Sequence, residues 1–143
     1  MKPFELETVL KYRDRLKSIA RNKLQEAQNV RDRVRDRLAA KESEYQELIT
    51  NLNTLQAGGI DVLEHIRYEN RIEFVSRDIN SFKKQLEKKQ ELVIRERKHL
   101  IQKSKEHKAL EKLKERQNAD WKRWLDKKEA AMLDEIAVLH KNP

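Results

Sequence analysis

The sequence predicts an all-α protein, a long antiparallel two-helix coiled-coil hairpin in which helix 2 overhangs helix 1. Three observations support this: the composition favours helices, one glycine pair is the only strong break, and apolar residues recur at three- and four-residue steps. Charged residues make up 41% of the 143 residues and hydrophobic residues 37%. A globular domain is only about one quarter charged. The chain therefore suits long helices that share a narrow apolar stripe.

The glycine pair at positions 58–59 separates the two predicted helices. Glycine readily takes the left-handed conformation that ends a helix, so we expect Gly58 just past the end of helix 1. Asp61 follows, with Glu64 three residues later, which is typical of a helix start. Pro3 lies where a first helical turn tolerates proline. These signals predict one hairpin over residues 1–143: helix 1 at about 3–56, a turn at 57–60 and helix 2 at about 61–140.

Apolar residues follow the rhythm of a coiled-coil seam in both helices. In helix 1 the seam is Leu6, Leu10, Leu16, Ala20, Leu24, Ala27, Val30, Val34, Leu38, Lys41, Tyr45, Leu48, Leu52 and Leu55. In helix 2 it is Ile72, Val75, Ile79, Phe82, Leu86, Lys89, Val93, Glu96, Leu100, Lys103, His107 and Leu110. Polar residues interrupt the second list, so we expect a weak seam between Lys89 and His107.

A short turn forces the helices to fold back on each other, which places Leu55 near Val62 and Leu6 near Glu111. Helix 2 then continues alone for about 40 Å, at 1.5 Å per residue. This overhang carries the large apolar residues Trp121, Trp124, Leu125, Met132, Leu133, Ile136, Val138 and Leu139. A helix with such a stripe requires a partner. The two tryptophans have two interpretations: they cap the end of the hairpin seam, or they enter a binding partner, where tryptophan is enriched.

Charge is sorted along the chain, whose formal net charge is +8. Residues 11–41 and 83–116 each have a net charge of +7, whereas residues 42–82 have a net charge of −5. Basic helices can neutralise phosphates. However, acidic residues interleave with the basic ones, and apart from Tyr12 no aromatic residue is placed among them for base stacking. We therefore expect no nucleic-acid partner.

The sequence also predicts that the protein is not an enzyme and needs no metal or cofactor. The four histidines never fall at the spacing that places two metal ligands on one helix face, and no phosphate-binding glycine loop is present. Cysteine is absent. No apolar run reaches the roughly 20 residues of a membrane span, and the N-terminus lacks the apolar core of a signal peptide. We expect a cytoplasmic protein without direct membrane insertion, monomeric when free.

Two runs resemble a known family. The opening Phe4-Glu5-Leu6-Glu7-Thr8-Val9-Leu10-Lys11-Tyr12-Arg13 is similar to the N-terminal pattern of the flagellar FliJ family, a soluble component of the type III export apparatus. The run Leu110–Gln117 and the turn around Gly58 also resemble it. The resemblance implies a non-enzymatic helical stalk, similar to the coiled coil of the rotary ATP synthase gamma subunit. Such a stalk occupies the central pore of a hexameric export ATPase and promotes its assembly.

The resemblance also implies contacts with the export gate membrane protein and with export chaperones, at a site peripheral to the inner membrane. Combined with the apolar pattern, it predicts an ATPase-binding set of Phe4, Leu6, Val9, Leu10, Tyr12, Trp121, Trp124 and Leu125. The family's gate-contact stripe falls here on Arg71, Val75, Asp78 and Phe82, with Tyr45 and Leu48 on helix 1. Arg71 and Asp78 depart from the family's apolar pattern. A scaffold coiled coil and a virulence-type secretion stalk remain alternatives.

Overall fold

The computed structural model describes residues 4–141, in which two α-helices and no strand are found. Helix α1 spans Glu7–Gly58 and helix α2 spans Val62–Lys141. Pro3, expected in the first turn of helix 1, lies outside the described residues. The helix starts later than predicted because residues 4–6 form a turn, in which the Glu7 amide donates to the Phe4 carbonyl over 3.1 Å.

The turn between the helices depends on Gly59, not on Gly58. Gly58 is the last residue of α1, and Gly59 has a φ of 83°, in the left-handed region that side chains with a Cβ rarely adopt. The amide of Gly59 donates to the carbonyl of Gln56. Asp61 directly precedes α2, as predicted for its cap, and its carbonyl accepts the first helical hydrogen bond from the His65 amide at 2.9 Å.

The chain forms two compact units. The first combines α1 up to Ala20 with α2 from Leu100 onward, and the second comprises residues 21–99. In the second unit the buried apolar residues lie on the predicted seam: Ala27, Val34, Leu38, Leu52, Val75 and Val93. Cross-helix ion pairs join Glu44 to Arg71 at 2.6 Å and Lys41 to Asp78 at 3.4 Å. Moving forward along α1 from Lys41 to Glu44 moves the partner backward along α2 from Asp78 to Arg71. The helices are therefore antiparallel.

The first unit is antiparallel as well. Its cross-helix pairs join Glu7 to Lys114 at 2.9 Å and Arg13 to Glu106 at 2.8 Å. Leu6 was expected near Glu111, but Glu7 reaches Lys114, so the N-terminal end of α1 lies about one turn further along α2 than predicted. The overhang of α2 is therefore shorter than the sequence suggested, although residues 122–141 are all exposed.

The predicted seam is confirmed: each of its positions except Leu6 is buried or half-buried. The structure adds three positions that the sequence analysis missed, because Arg13, Lys17 and Arg31 are half-buried and complete a strict three–four repeat on α1. Arginine and lysine have apolar stems that can lie along a seam while the charged end reaches water. Looking only for apolar residues therefore led to the less regular steps through Leu16 and Val30.

We predict that Val75→Ala destabilises the protein by about 1–3 kcal/mol, because it removes a fully buried side chain and leaves a cavity. The neighbouring Phe74 is 56% exposed, so Phe74→Ala should change the free energy of unfolding by no more than about 0.5 kcal/mol. Urea unfolding of both variants measures this. Equal effects would mean that the helices pack through a different face.

A second prediction concerns acid stability. The Arg71 guanidinium, which donates to Glu44, holds the pKa of that carboxyl below its ordinary value of 4.5 against the opposing effect of burial. Lys41 also donates to Glu44 and lowers the same pKa further. A carboxyl whose pKa is lowered in the folded state stabilises the protein at pH values above its ordinary pKa. That stabilisation is lost as the pH falls through the folded-state pKa. Glu44→Gln should therefore be less stable than the parent protein near neutral pH and equal to it in acid.

Urea unfolding between pH 7 and pH 3 tests this. The control is Glu42→Gln, because Glu42 is exposed and forms no ion pair with another described residue. Its stability should follow that of the parent protein across the range. A constant difference between Glu44→Gln and the parent at every pH would contradict the assigned role of the ion pair.

Candidate functional site

The N-terminal residues predicted to bind a partner differ in accessibility. Tyr12, Val9 and Leu6 are 54%, 40% and 39% exposed, whereas Leu10 is half-buried and Phe4 is buried. The exposed three lie on or just before the first turns of α1. Phe4 is therefore the one buried member of this N-terminal set, while Leu10 is partly covered as a seam residue.

Phe4 packs at the beginning of the hairpin seam. It lines a shallow groove together with Leu6 of its own segment and Leu113, Arg116, Gln117 and Asp120 of α2. Two contacts hold the segment in place, the Glu7–Lys114 ion pair and the Glu7 amide hydrogen bond to Phe4. This burial assigns Phe4 a packing role in the free protein.

Trp121 and Trp124 form a stacked pair on α2. Their ring centroids are 4.9 Å apart with an interplanar angle of 18°. The ammonium of Lys128 lies 5.0 Å from the centroid of the Trp124 ring, within the range of a cation–π contact. Trp121 is half-buried, but Trp124 is 49% exposed. One ring of the pair is therefore partly covered, and the other remains accessible.

An apolar stripe continues from this pair to the end of α2. Because Trp121, Leu125, Met132, Ile136 and Leu139 follow steps of four, seven, four and three residues, they lie on one side of the helix. Leu125, Met132, Ile136 and Leu139 are between 42% and 75% exposed. We call this stripe, with Trp124 at its edge, the tail face. Beyond Trp121 the described residues of this face stay exposed, which leaves a long apolar surface available for binding.

The predicted gate-contact residues lie in the helix–helix interface of the second unit. Val75 is fully buried, and Phe82, Tyr45 and Leu48 are half-buried. Arg71 and Asp78 form ion pairs with Glu44 and Lys41 of α1. Only Arg71 among these six is classed as exposed. The structure therefore gives these residues contacts with α1, and leaves little of their surface for a partner.

A second exposed apolar surface was missed by the sequence analysis. Val62, Leu63, Ile66 and Phe74 on the first turns of α2 are 71%, 65%, 45% and 56% exposed. Their spacing was visible in the sequence, but the sequence analysis considered only the seam residues of this segment, such as Ile72 and Val75. A separate search for apolar residues on the side of α2 opposite the seam would have found them.

Residues 4–141 contain no group of three or more histidine, aspartate or glutamate side chains arranged to hold a metal ion. Neither helix in that range combines the length and apolar character needed to cross a membrane. The features of the described chain that stand out for binding are thus its two exposed apolar surfaces and its charge pattern.

Comparison with known proteins gives two similarities. A family model described as "Flagellar FliJ protein" matches residues 1–141. Among solved structures, the chain is similar to that of a putative YscO homolog from Chlamydia trachomatis, with 20% identity, a TM-score of 0.54 and coverage of 99% of this chain and 96% of the other. At this identity the structural similarity bears on the fold alone. No curated protein matches the sequence.

We predict that Phe4→Ala destabilises the protein by about 1–3 kcal/mol, because Phe4 is buried against α2. Tyr12→Ala provides a matched aromatic control on the same segment, where 54% of the residue is already exposed. Its effect on the free energy of unfolding should stay within about 0.5 kcal/mol. Urea unfolding of both variants decides the point, and an unchanged Phe4→Ala variant would remove its packing role.

Proposed function

Since the chain belongs to the flagellar FliJ family, a family of type III export components, we propose that it acts as a non-enzymatic stalk. The stalk binds in the central pore of a hexameric export ATPase and promotes the assembly of that ring. The observation that supports this best is the uncovered tail face of α2. An apolar helical stripe without a partner in its own chain is typical of a surface that another protein covers.

The exposed side chains of the tail face can contribute to binding. Fully burying one large apolar side chain is worth about 1.5–3 kcal/mol. Roughly half of the surface is exposed in each of Trp124, Leu125 and Met132. Covering these side chains and those beyond them contributes several kcal/mol before the costs of association are subtracted. Trp124 is the strongest candidate for a central contact because a large, rigid aromatic ring is often a binding hot spot.

The charges of the first unit support a ring with an acidic inner surface. Two carboxylates of this unit are engaged between the helices, in the pairs Glu7–Lys114 and Glu106–Arg13. Lys105, Lys108 and Lys112 are exposed and form no ion pair with another described residue. The unit thus directs uncompensated positive charge toward the solvent, where an acidic surface would be attracted and oriented.

We propose the remaining partners on the basis of the family resemblance alone. They are the export gate membrane protein and export chaperones, which would place the stalk on the cytoplasmic side of the export apparatus, at the inner membrane. The family description is flagellar, and we therefore propose a flagellar rather than a virulence-type system. By the same resemblance, the proposed gate contact lies on the second unit, where Arg71 is the exposed member of the stripe from Arg71 to Phe82.

We predict that Trp124→Ala combined with Leu125→Ala weakens binding to the purified export ATPase at least about tenfold, through the loss of two exposed tail-face side chains. The melting temperature of the free protein should hardly change. Phe74→Ala is the control, because Phe74 is similarly exposed but lies outside the tail face. Biolayer interferometry and a thermal melt provide both measurements.

The capping interpretation of the tryptophans leads to a different result. If the pair mainly stabilises the hairpin, the double variant will melt at a clearly lower temperature and its folded fraction will bind the ATPase normally. That outcome would contradict the proposed pore contact. Trp121 is kept unchanged in this test because it is half-buried, and its replacement would combine the two effects.

A further inference from the structure

The exposed end of α2 contains a regular coiled-coil repeat. Every described residue from 122 to 141 is exposed. Within this segment alternating steps of three and four residues connect Leu125, Lys128, Met132, Glu135 and Leu139. Such steps place side chains on the side of a helix that packs against another helix in a coiled coil. We call these five residues the tail repeat. It runs along the tail face and adds two charged residues to it.

The apolar members of the tail repeat are open to a second helix. Leu125, Met132 and Leu139 are 42%, 56% and 75% exposed. The seam residues of the hairpin follow the same alternating steps and are covered by the opposite helix. Since a three–four repeat is buried by another helix of similar length, the tail repeat is suited to one more helix of its own kind.

The two charged members of the tail repeat indicate which helix this is. Lys128 and Glu135 have opposite charges and lie seven residues apart, on the same side of α2. Neither forms an ion pair with another described residue, although the Lys128 ammonium lies 5.0 Å from the centroid of the Trp124 ring. Charged seam residues in coiled coils favour partners and orientations that supply the opposite charge. A matching helix therefore has a carboxylate opposite Lys128 and a basic group opposite Glu135.

A second copy of α2 meets both requirements in the antiparallel orientation. If the exposed segments of two copies overlap fully, residue 122 of one lies opposite residue 141 of the other, and the numbers of opposed residues sum to 263. Lys128 and Glu135 also sum to 263, so each faces the other across the pair, twice by symmetry. In a parallel pair Lys128 would face Lys128 and Glu135 would face Glu135, which like-charge repulsion disfavours.

The hairpin leaves room for this pairing. The groove that Phe4 lines includes α2 residues as far as Asp120. A second copy that overlaps residues 122–141 ends just beyond that groove. The overlap thus uses the exposed segment of α2 and does not require α1 to move.

We propose that the tail repeat pairs with a second copy of this chain in an antiparallel coiled coil, in which Lys128 of each copy lies against Glu135 of the other. The sequence analysis expected a monomer because the hairpin supplies its own partner helix, but that reasoning does not extend to the segment beyond Trp121. The pairing does not rest on the proposed function. If both hold, the dimer covers the tail face and competes with the export ATPase for it.

The test measures self-association of the full-length protein by sedimentation equilibrium from low to high micromolar concentration, at low ionic strength, where charge pairs are least screened. The parent protein should form a dimer. Lys128→Glu and Glu135→Lys should each weaken dimerisation at least about tenfold, because each places like charges against each other. The double variant Lys128→Glu, Glu135→Lys should dimerise like the parent, since the exchange restores both pairs.

The matched control is Lys127→Glu. Lys127 is exposed and adjacent to Lys128, but it lies outside the tail repeat. This variant has the same change in net charge as Lys128→Glu and should dimerise like the parent protein. Circular dichroism should show full helicity for all four variants, since each replaces exposed residues only.

Three outcomes would overturn the proposal. A parent protein that stays monomeric at high micromolar concentration would remove the dimer, and this result would leave the proposed ATPase contact intact. Failure of the double variant to recover dimerisation would remove the antiparallel charge pair, because a parallel pair keeps like charges together in every variant. An equal loss in Lys127→Glu and Lys128→Glu would show that net charge, and not the tail repeat, controls the association.

Discussion

The single shared stripe between two antiparallel helices is the constraint on which the rest of this protein depends. A two-helix hairpin has no second layer, so each helix buries only the side chains that face its partner. The buried set is accordingly small and lies along that stripe, with Ala20, Val75 and Val93 its least exposed members. Every side chain that points elsewhere stays in contact with water. Both the tail face and the exposed apolar residues at the beginning of α2 are direct results of this geometry.

Polar residues within the stripe help to define which positions of the two helices meet. Lys41 reaches both Glu44 on its own helix and Asp78 across the interface. His107 is the buried polar residue of the first unit, where its ring nitrogens lie 3.0 Å from Glu111 and 3.7 Å from Asp14. An apolar seam alone would tolerate sliding by one heptad, whereas such pairs are satisfied in one register. In coiled coils, polar seam residues often sacrifice stability for this specificity.

The unequal lengths of the helices connect the fold to the proposed function. Helix α1 has 52 residues and α2 has 80, so α1 cannot cover the whole of α2. Beyond the Phe4 contact the apolar repeat of α2 continues, and past the stacked Trp121–Trp124 pair its residues are exposed. A protein that binds through such a surface needs no pocket and no catalytic group. It needs a stiff helix and an apolar side that its own chain leaves open.

The sequence by itself determined the fold class, the two helices and the seam. These depend on local signals, namely helix-forming composition, a glycine pair and a three–four repeat, that are readable without knowing which residues meet. Only the tertiary structure decided the exact register at the N-terminal end of α1, where Glu7 reaches Lys114 and the overhang is shortened. It also decided which glycine is left-handed, namely Gly59. The tertiary structure also showed that Val75 is buried whereas its neighbour Phe74 is exposed. Two adjacent apolar residues cannot be told apart in this respect until it is known which one the partner helix covers.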